Sequence, residues 1–372
     1  MHAYDYSLDE LNKPIPLSKK LTEIHQRISS YFPFIVRISI TTYDAKSKII
    51  KTYLHSGGDT ILDHYQTTLD NVPSLKKVLE EGVPRVINKP LTVADNDHEH
   101  TKKIAQKDYA ASYTLPMISD GKCYGFIFFN ADKKNVFKDK VLADIDMYAH
   151  IISLMVINEL TTIQTLAAAL RTVLYVTHTR DPETGEHLER MSRYSRLVAI
   201  EIADKYHLND SYIEHLFMFA PLHDIGKTAI PDNILLKPGK LDPDEMTIMK
   251  THSRVGRDMI DMLIDNFGMQ QIEYIEMLKN VIEYHHEAVD GSGYPDSLKG
   301  DKIPLEARIV AVADVFDALT SERPYKKAWS NERAIEKLKE LAGKKLDRDC
   351  VAALLANLPE VHRIQERFKE TV

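Results

Sequence analysis

The first third of the chain alternates short apolar runs with segments of helical period. The runs "FIVRISITTYD" and "CYGFIFFNAD" are typical of strands, because β-branched and aromatic residues crowd them and turn residues follow. Between them, "VPSLKKVLEEG" has the spacing of a helix. We therefore predict an α+β domain over residues 1–136.

A long connecting helix is predicted over residues 137–180, where neither Gly nor Pro occurs. Its apolar positions recur at steps of three and four, with one stutter between Ile152 and Leu160. This apolar seam consists of Ile145, Ala149, Ile152, Val156, Leu160, Ile163, Ala167, Leu170 and Leu174. We expect the seam to pair with its own copy in a parallel coiled-coil homodimer. The alternative is a helix packed only within its own chain.

The remainder, residues 181–372, is helical in pattern. Segments such as "EYIEMLKNVIEYHH" and "LEARIVAVADVFDALTS" repeat their apolar positions with a period near 3.6. This pattern predicts an all-α domain, so the chain as a whole is predicted to be multidomain.

Composition narrows the class of protein. A length of 372 residues favours two domains, and a net charge of -7 gives no overall basic field for long nucleic acid. The cysteines, Cys123 and Cys350, are too few for a disulfide framework and fit a reducing compartment. The acidic start lacks a signal core, and "HIISLMVINEL" is too short to span a bilayer. We expect a cytoplasmic protein without membrane insertion.

The first candidate functional residues are His223 and Asp224, which stand in the apolar stretch "PLHDIGKTAIP". A polar pair closing a helix before a Gly stop is one interpretation; a metal site is the other. The helical half also holds further histidines and acids with apolar flanks, which are Glu183, His187, His252, His285, His286 and Asp314. Imidazole and carboxylate without thiolate favour iron, manganese or zinc, and so many groups suit two or three ions.

These motifs resemble a known family. "HDIGK", "HHEAVDGSGYP" and "ARIVAVADVFDALTSERPYKKA" are similar to the HD-GYP subgroup of the HD phosphohydrolases, which cleave cyclic di-GMP in bacteria. The resemblance covers roughly residues 180–355. It implies a metal-dependent phosphodiesterase giving linear pGpG, GMP or both. It also implies these metal ligands: Glu183, His187, His223, Asp224, His252, His285, His286 and Asp314.

The same resemblance assigns further roles. Asp224 would bridge two metals, and Glu183 would allow a third, so we expect chiefly iron, di- or trinuclear with three ions favoured, and manganese able to substitute. Lys227 would contact phosphate and assist the leaving group, which makes Asp224 and Lys227 the catalytic pair.

The remaining substrate contacts fall in two loops. Arg323 and Lys326 match phosphate-contacting positions, although a solvated helix end is the simpler interpretation of such residues. Gly293, Tyr294 and Pro295 form a tight loop that lies near the substrate in the family and serves in partner contacts, with a GGDEF-domain protein as the expected partner.

Two questions stay open at the level of the sequence. The first 136 residues resemble a GAF sensor domain by length and element order; His98 and His100 there could bind a metal, but a solvated acidic loop is the favoured interpretation. The alternatives to a cyclic di-GMP phosphodiesterase are preference for cyclic GMP-AMP, with Ala288 and Val289 as the selecting positions, and a non-catalytic cyclic di-GMP receptor.

Overall fold

The fold was analysed in a computed structural model, which describes residues 6–57, 64–89, 109–178, 185–270, 272–322 and 328–369. The chain divides into two compact units, Met1–Thr161 and Thr162–Val372. The predicted multidomain arrangement, with an α+β part followed by a helical part, is confirmed.

The N-terminal unit is built on one antiparallel sheet with the strand order β3-β2-β1-β6-β5-β4. Its strands are β1 (Ile35–Asp44), β2 (Ile49–Ser56), β3 (Gln66–Thr68), β4 (Arg85–Ile87), β5 (Ala111–Ser119) and β6 (Lys122–Ala131). Two helices accompany the sheet, α1 (Leu17–Tyr31) and α2 (Pro73–Glu81). The two segments predicted as strands correspond to β1 and β6, and the predicted helix corresponds to α2.

The two faces of β1 differ in chemistry. Successive side chains of a strand point to opposite faces. Ile38 and Ile40 therefore enter a hydrophobic core together with Ile24 and Ile28 of α1. The intervening residues of β1, Arg37, Ser39 and Thr41, are also buried but polar.

The predicted connecting helix is present as α3 (Asp139–His178). All nine seam residues are buried: those from Ile145 to Leu160 lie in the core of the N-terminal unit, and those from Ile163 to Leu174 lie in the core of the helical unit. The seam is therefore used within one chain. The expectation that it pairs with a second copy is corrected here, because side chains such as Ile152 and Ile163 expose none of their surface.

By length and composition alone, α3 is the one helix in the described part of the chain that could cross a membrane. Its seam lies in the two protein cores, as in a core helix of a globular domain.

The second unit is helical. Its helices are α4 (Gly185–Glu201), α5 (Ala203–Tyr206), α6 (Asp210–Phe219), α7 (Asp232–Leu235), α8 (Pro243–Lys250), α9 (His252–Phe267), α10 (Ile275–Tyr284), α11 (Leu305–Thr320), α12 (Asn331–Leu341), α13 (Arg348–Ala356) and α14 (Leu358–Arg367). Short 3₁₀ segments Ala220–Leu222 and Ile225–Ala229 follow α6. The apolar faces of α4, α6, α10 and α11 form the core, through residues such as Val198, Leu216, Val281 and Phe316.

Local sequence sets the helix ends. Asn209 caps α6 by accepting from the backbone N–H of Tyr212, and Asp242 and Glu245 form a reciprocal capping box at the start of α8. Asp347 caps α13 by accepting from two backbone N–H groups and also pairs with Arg308 at 2.8 Å.

Candidate metal centre

Five segments bring seven of the eight predicted ligands together, and Glu183 lies outside the described residues. His187 lies in α4, His252 is the first residue of α9, and Asp314 lies within α11. His223 and Asp224 lie between the two 3₁₀ segments that follow α6. His285 and His286 come directly after α10. Each ligand is thus held by a regular element or immediately beside one, which fixes its position.

The glycine of "HDIGK" has a packing role. A Cβ on Gly226 would come within 1.9 Å of the carbonyl oxygen of His252 and 2.6 Å of the backbone nitrogen of Gly256. Gly226 therefore lets the segment carrying His223 and Asp224 lie directly against the start of α9. The interpretation of this glycine as a helix stop is wrong, because it lies inside the 3₁₀ segment Ile225–Ala229.

The first group of candidate ligand atoms comprises Asp224, His252, His285 and His286, whose ligand atoms all lie within 4.8 Å of one another. The Nε2 atoms of His252 and His285 lie 3.4 and 3.7 Å from Oδ1 of Asp224. These separations suit atoms that converge on a common ion.

The second group comprises His187, His223 and Asp314, again with ligand atoms within 4.8 Å. Nε2 of His223 lies 3.1 Å from Oδ2 of Asp224. One carboxylate oxygen of Asp224 thus faces the first group and the other faces the second. This is the arrangement that a bridging carboxylate requires.

The Nδ1 atoms of the histidines are occupied elsewhere. Nδ1 of His223 is 2.9 Å from the carbonyl oxygen of Ala220, and Nδ1 of His252 is 2.7 Å from that of Met249. Nδ1 of His285 is 3.0 Å from the carbonyls of Val281 and Ile282. A carbonyl accepts only, so these contacts place the proton on Nδ1 and direct an unprotonated Nε2 toward Asp224.

The donor set fits divalent metal. Among the described residues, Nε2 of His252, Nε2 of His285 and Oδ1 of Asp224 are buried atoms without a hydrogen-bond partner. Buried polar atoms are normally satisfied, and three such atoms facing one another indicate a ligand. Nitrogen and oxygen donors without thiolate suit a catalytic ion.

Protonation states agree with this. Burial lowers the pKa of His252 to about 4 and that of His286 well below its ordinary value. Burial alone would raise the pKa of Asp224, but Lys227 and His223 bring it well below its ordinary value. At neutral pH the Asp224 carboxyl is therefore ionised and the His252 and His286 rings are neutral, as metal coordination requires.

His215 provides a contrast within the same unit. It is fully buried, its Nδ1 lies 2.7 Å from the carbonyl of Ser211, and its ring packs against Tyr274 with 4.7 Å between centroids. It belongs to neither group of ligand atoms. A buried histidine alone therefore does not indicate a metal in this fold.

Asp317 is a functional residue that the sequence analysis missed. Its carboxylate lies 2.7 Å from Nδ1 of His187 and accepts hydrogen bonds from Arg190 at 2.6 and 2.9 Å. Burial alone would raise the pKa of Asp317, but His187 and Arg190 lower it to about 2. The available signal was a second acid three positions after Asp314 in the same apolar helix.

Tyr294 borders the first group. Its ring centroid lies 4.7 Å from that of His286, and the ammonium of Lys250 lies 5.3 Å from the Tyr294 ring. A Cβ on Gly293 would come within 2.3 Å of the backbone nitrogen of Ala288, so the loop needs glycine there. The loop carrying Gly293, Tyr294 and Pro295 thus lies beside the candidate metal ligands.

Glu287, also missed in the sequence, supports this loop. Its buried carboxylate accepts from the backbone N–H groups of Asp296 and Leu298 at 2.7 and 2.9 Å. Ala288 is buried, and the N–H of Val289 donates to the carbonyl of Lys345 at 3.1 Å. The available signal was the acidic residue at the third position of "HHEAVD", directly after the two histidines.

Lys227 lies next to Asp224, the carboxylate that faces both groups of candidate ligand atoms. Its ammonium is 2.9 Å from Oδ2 of Asp224, and the side chain is largely buried. Glu183, Arg323 and Lys326, as well as His98 and His100, lie outside the described residues.

Residues 182–350 match the model of the HD domain family.

This part of the helical unit is therefore similar to HD domains.

Curated relatives point to the same family. Over 205 residues, 55% of this chain and 50% of the relative, the chain is 45% identical to the cyclic di-GMP phosphodiesterase response regulator RpfG of Xanthomonas campestris pv. campestris. It is 39% identical, over 49% of this chain and 33% of the relative, to the 3'3'-cGAMP-specific phosphodiesterase 2 of Vibrio cholerae. The chain spans about half or less of the length of these relatives. The resemblance of the HD domain to the HD-GYP type is confirmed.

The N-terminal unit is similar to GAF domains. One example is the GAF domain from an Acinetobacter phosphoenolpyruvate-protein phosphotransferase, at 11% identity and a TM-score of 0.33, covering 43% of this chain and 98% of that chain.

Proposed function

We propose that this protein is a metal-dependent phosphodiesterase that hydrolyses cyclic di-GMP, under control of the GAF-like N-terminal unit. The observation that carries the proposal is Asp224, whose two carboxylate oxygens face two groups of histidine and aspartate ligand atoms. The HD domain match and relatives named cyclic di-GMP phosphodiesterases support it.

Residues of both groups would hold the ions. His187, His223 and Asp314 would bind one ion; His252, His285 and His286 would bind another, with Asp224 shared. When bound, such ions supply Lewis-acid stabilisation of phosphate charge and activation of water at neutral pH.

We propose iron as the resident metal, with manganese able to substitute, since the donors are imidazoles and carboxylates. A third ion held with the help of Glu183 remains a prediction. Elemental analysis of the wild type and Glu183→Gln, purified without chelator, tests it; two ions in both proteins would contradict it.

Lys227 is proposed to act on the substrate. Its ammonium lies beside Asp224, so a phosphodiester near the two groups of ligands would meet a fixed positive charge. In this position it would stabilise the leaving 3'-oxygen or protonate it. Arg323 and Lys326 are proposed to bind the phosphates of the substrate, and Gly293, Tyr294 and Pro295 to border it.

The loop of Gly293, Tyr294 and Pro295 is suited to stacking against a base of the substrate. The Tyr294 ring lies beside His286, and an aromatic face near bound phosphates is suited to a purine base. Cyclic GMP-AMP is the second candidate substrate, because one relative is named as specific for it. A non-catalytic receptor is the weaker alternative, since a receptor needs no such set of ligand atoms.

The test uses the full chain reconstituted with Fe²⁺ or Mn²⁺ under anaerobic conditions. Each of cyclic di-GMP and 3'3'-cGAMP is incubated with the protein, and the products are followed by chromatography. We expect cyclic di-GMP to be converted to pGpG, GMP or both, and 3'3'-cGAMP to be converted more slowly.

His252→Asn removes one ligand and should abolish turnover, whereas the matched control His362→Asn alters an exposed histidine and should not. Faster cleavage of 3'3'-cGAMP would favour the second candidate. Tight binding of cyclic di-GMP without turnover would favour the receptor.

Four wider predictions accompany this function. We propose functional boundaries at residues 1–136, 137–180 and 181–372, and a cytoplasmic location. A GGDEF-domain protein is the proposed partner of the Gly293–Pro295 loop. A homodimer through α3 would have to use the exposed face that carries Met147 and Leu154, since the seam is buried.

A further inference from the structure

The loop that carries Tyr294 is attached to the candidate metal ligands by its backbone. The N–H of Tyr294 donates to the carbonyl of His286 at 3.2 Å, and the two ring centroids lie 4.7 Å apart. Glu287 accepts from the backbone N–H groups of Asp296 and Leu298 at 2.7 and 2.9 Å. These contacts hold the backbone of the loop, and the side chain of Asp296 has a different partner.

That partner is Arg254 of α9. One terminal nitrogen of its guanidinium donates to the carboxylate of Asp296, and the other donates to Oε1 of Glu283 at 3.0 Å. A guanidinium presents its donors in a rigid planar fork, so one arginine joins two carboxylates where a lysine ammonium is a single point charge. Arg254 therefore connects α9, the last turn of α10 and the loop of Tyr294.

Glu283 anchors this arginine. The Glu283 side chain is 5% exposed, and its second oxygen accepts from Arg257 at 3.1 Å. A buried carboxylate is costly without such partners. An ion pair between two solvated side chains orders them only weakly. Because Glu283 is buried, it fixes the guanidinium of Arg254 even though half of the arginine side chain is exposed.

The elements that Arg254 connects also carry candidate ligands. His252 begins α9 two residues before Arg254, and His285 and His286 directly follow α10. The ring centroids of His252 and Tyr294 lie 6.3 Å apart. A shift of the loop relative to α9 would therefore move Tyr294 away from the groups of candidate ligand atoms.

We propose that Arg254 is a positioning residue that holds the loop of Gly293, Tyr294 and Pro295 at the substrate site through Asp296, and thereby sets the affinity for a purine cyclic dinucleotide. The inference rests on the proposed function, because that function places the loop beside the substrate. Arg254 acts through the loop and belongs to neither group of candidate ligand atoms.

Hydrogen exchange of the metal-loaded full chain, followed by mass spectrometry of the peptide 291–298, tests the positioning role. Arg254→Met should raise the exchange rate of this peptide at least about fivefold, because the loop then opens more often. Arg254→Lys keeps the charge but loses the fork, so its rate should be intermediate. The matched control is Arg257→Met, which removes the other cation from Glu283 and otherwise breaks pairs with Asp261 and Glu276. Its rate should stay within about twofold of the wild type.

Steady-state kinetics test the effect on the substrate. Arg254→Met should raise KM for cyclic di-GMP about fivefold to tenfold and change kcat less than about twofold, because a base bound by the loop stabilises ground state and transition state alike. Methyl p-nitrophenyl phosphate is a phosphodiester without a base, so the same variant should hydrolyse it within about twofold of the wild-type rate. Asp296→Ala should raise KM similarly, and the double variant Arg254→Met, Asp296→Ala should raise it no further, because both changes remove one contact.

Three results would overturn the proposal. The first is wild-type exchange of the peptide 291–298 in Arg254→Met. The second is an equal effect of Arg257→Met on exchange and KM, which would show that Arg254 acts only through Glu283. The third is an unchanged KM for cyclic di-GMP in an Arg254→Met protein whose loop exchanges faster. If the metal-loaded wild type hydrolyses no cyclic dinucleotide, the proposed function fails, whereas the exchange rates still decide whether Arg254 holds the loop.

Discussion

Nδ1 of His187 lies 2.7 Å from the carboxylate of Asp317, a residue whose two oxygens also accept from the guanidinium of Arg190. This contact fixes the orientation of the His187 ring and directs its Nε2 toward His223 and Asp314. Asp317 would therefore orient His187, a proposed metal ligand, without being a proposed ligand itself.

Asp317→Asn should lower metal affinity by about tenfold to a hundredfold, because a carboxylate behind a ligating histidine raises its basicity and fixes its tautomer. It should also lower stability, since Arg190 loses its buried partner. Metal titration and chemical denaturation measure the two effects separately.

The matched control is Glu214→Gln, which breaks a buried pair with Arg196 at 2.8 Å in the same unit. It should lower stability similarly and leave metal affinity unchanged. Equal loss of metal affinity in both variants would show that Asp317 acts only through stability.

Gly226→Ala should separate the segment of His223 and Asp224 from α9. The added Cβ would meet backbone atoms of His252 and Gly256, which cannot move aside as a side chain can. We expect lost metal binding and a loss of stability on the order of 1–3 kcal/mol. Gly185→Ala, with no heavy atom within 4 Å of the new Cβ, should retain stability near that of the wild type. Normal metal content in Gly226→Ala would contradict the packing role.

The sequence predicts site residues best where they belong to short motifs. Polar side chains are costly to bury unless they serve a function, so polar residues with apolar neighbours in the sequence could be selected as candidate ligands. They are His187, His223, Asp224, His252, His285, His286 and Asp314. Asp317 and Glu287 could not be selected, because their partners are a ring 130 residues away and a loop backbone that only the fold brings near.

For the helix α3, the sequence predicted the element but not what the element packs against. Its apolar spacing predicted both the helix and a buried stripe, and both are present. The partner of that stripe could not be predicted, since a seam of this period packs equally well against a second copy or against its own chain.

Ile163→Asp tests the packing of α3. Ile163 is fully buried in the core of the helical unit, so a charge there should destabilise that unit by several kcal/mol, on the order of 3–5. Leu154→Asp, on the exposed face, should change stability little and should dissociate any dimer that uses this face. Thermal melting and light scattering give the two readouts. A stable, folded Ile163→Asp protein with an altered oligomeric state would show instead that the seam forms an interface between two chains.

His215 should make stability depend on pH. Burial lowers its pKa to about 4 in the native state, against about 6.5 when unfolded. The stabilisation is therefore full above about pH 6.5 and is lost as pH falls toward about 4, because only the unfolded state takes up the proton.

Because of this one group, the free energy of unfolding should be about 1 kcal/mol lower at about pH 5.5 than at about pH 7.5. Denaturation of metal-free protein at both pH values should show that His215→Asn loses about 1 kcal/mol less than the wild type does. His207→Asn, at an exposed histidine, should behave as the wild type. Identical pH dependence in all three proteins would contradict the assignment.

The most direct test of the metal-dependent mechanism is the rate of cyclic di-GMP hydrolysis by Asp224→Asn, measured beside its metal content and with Glu214→Gln as the control. Asp224 faces both groups of ligand atoms, so its loss should reduce turnover at least about a hundredfold and lower metal content, while the protein remains folded. Hydrolysis at the wild-type rate by metal-depleted Asp224→Asn would contradict the account.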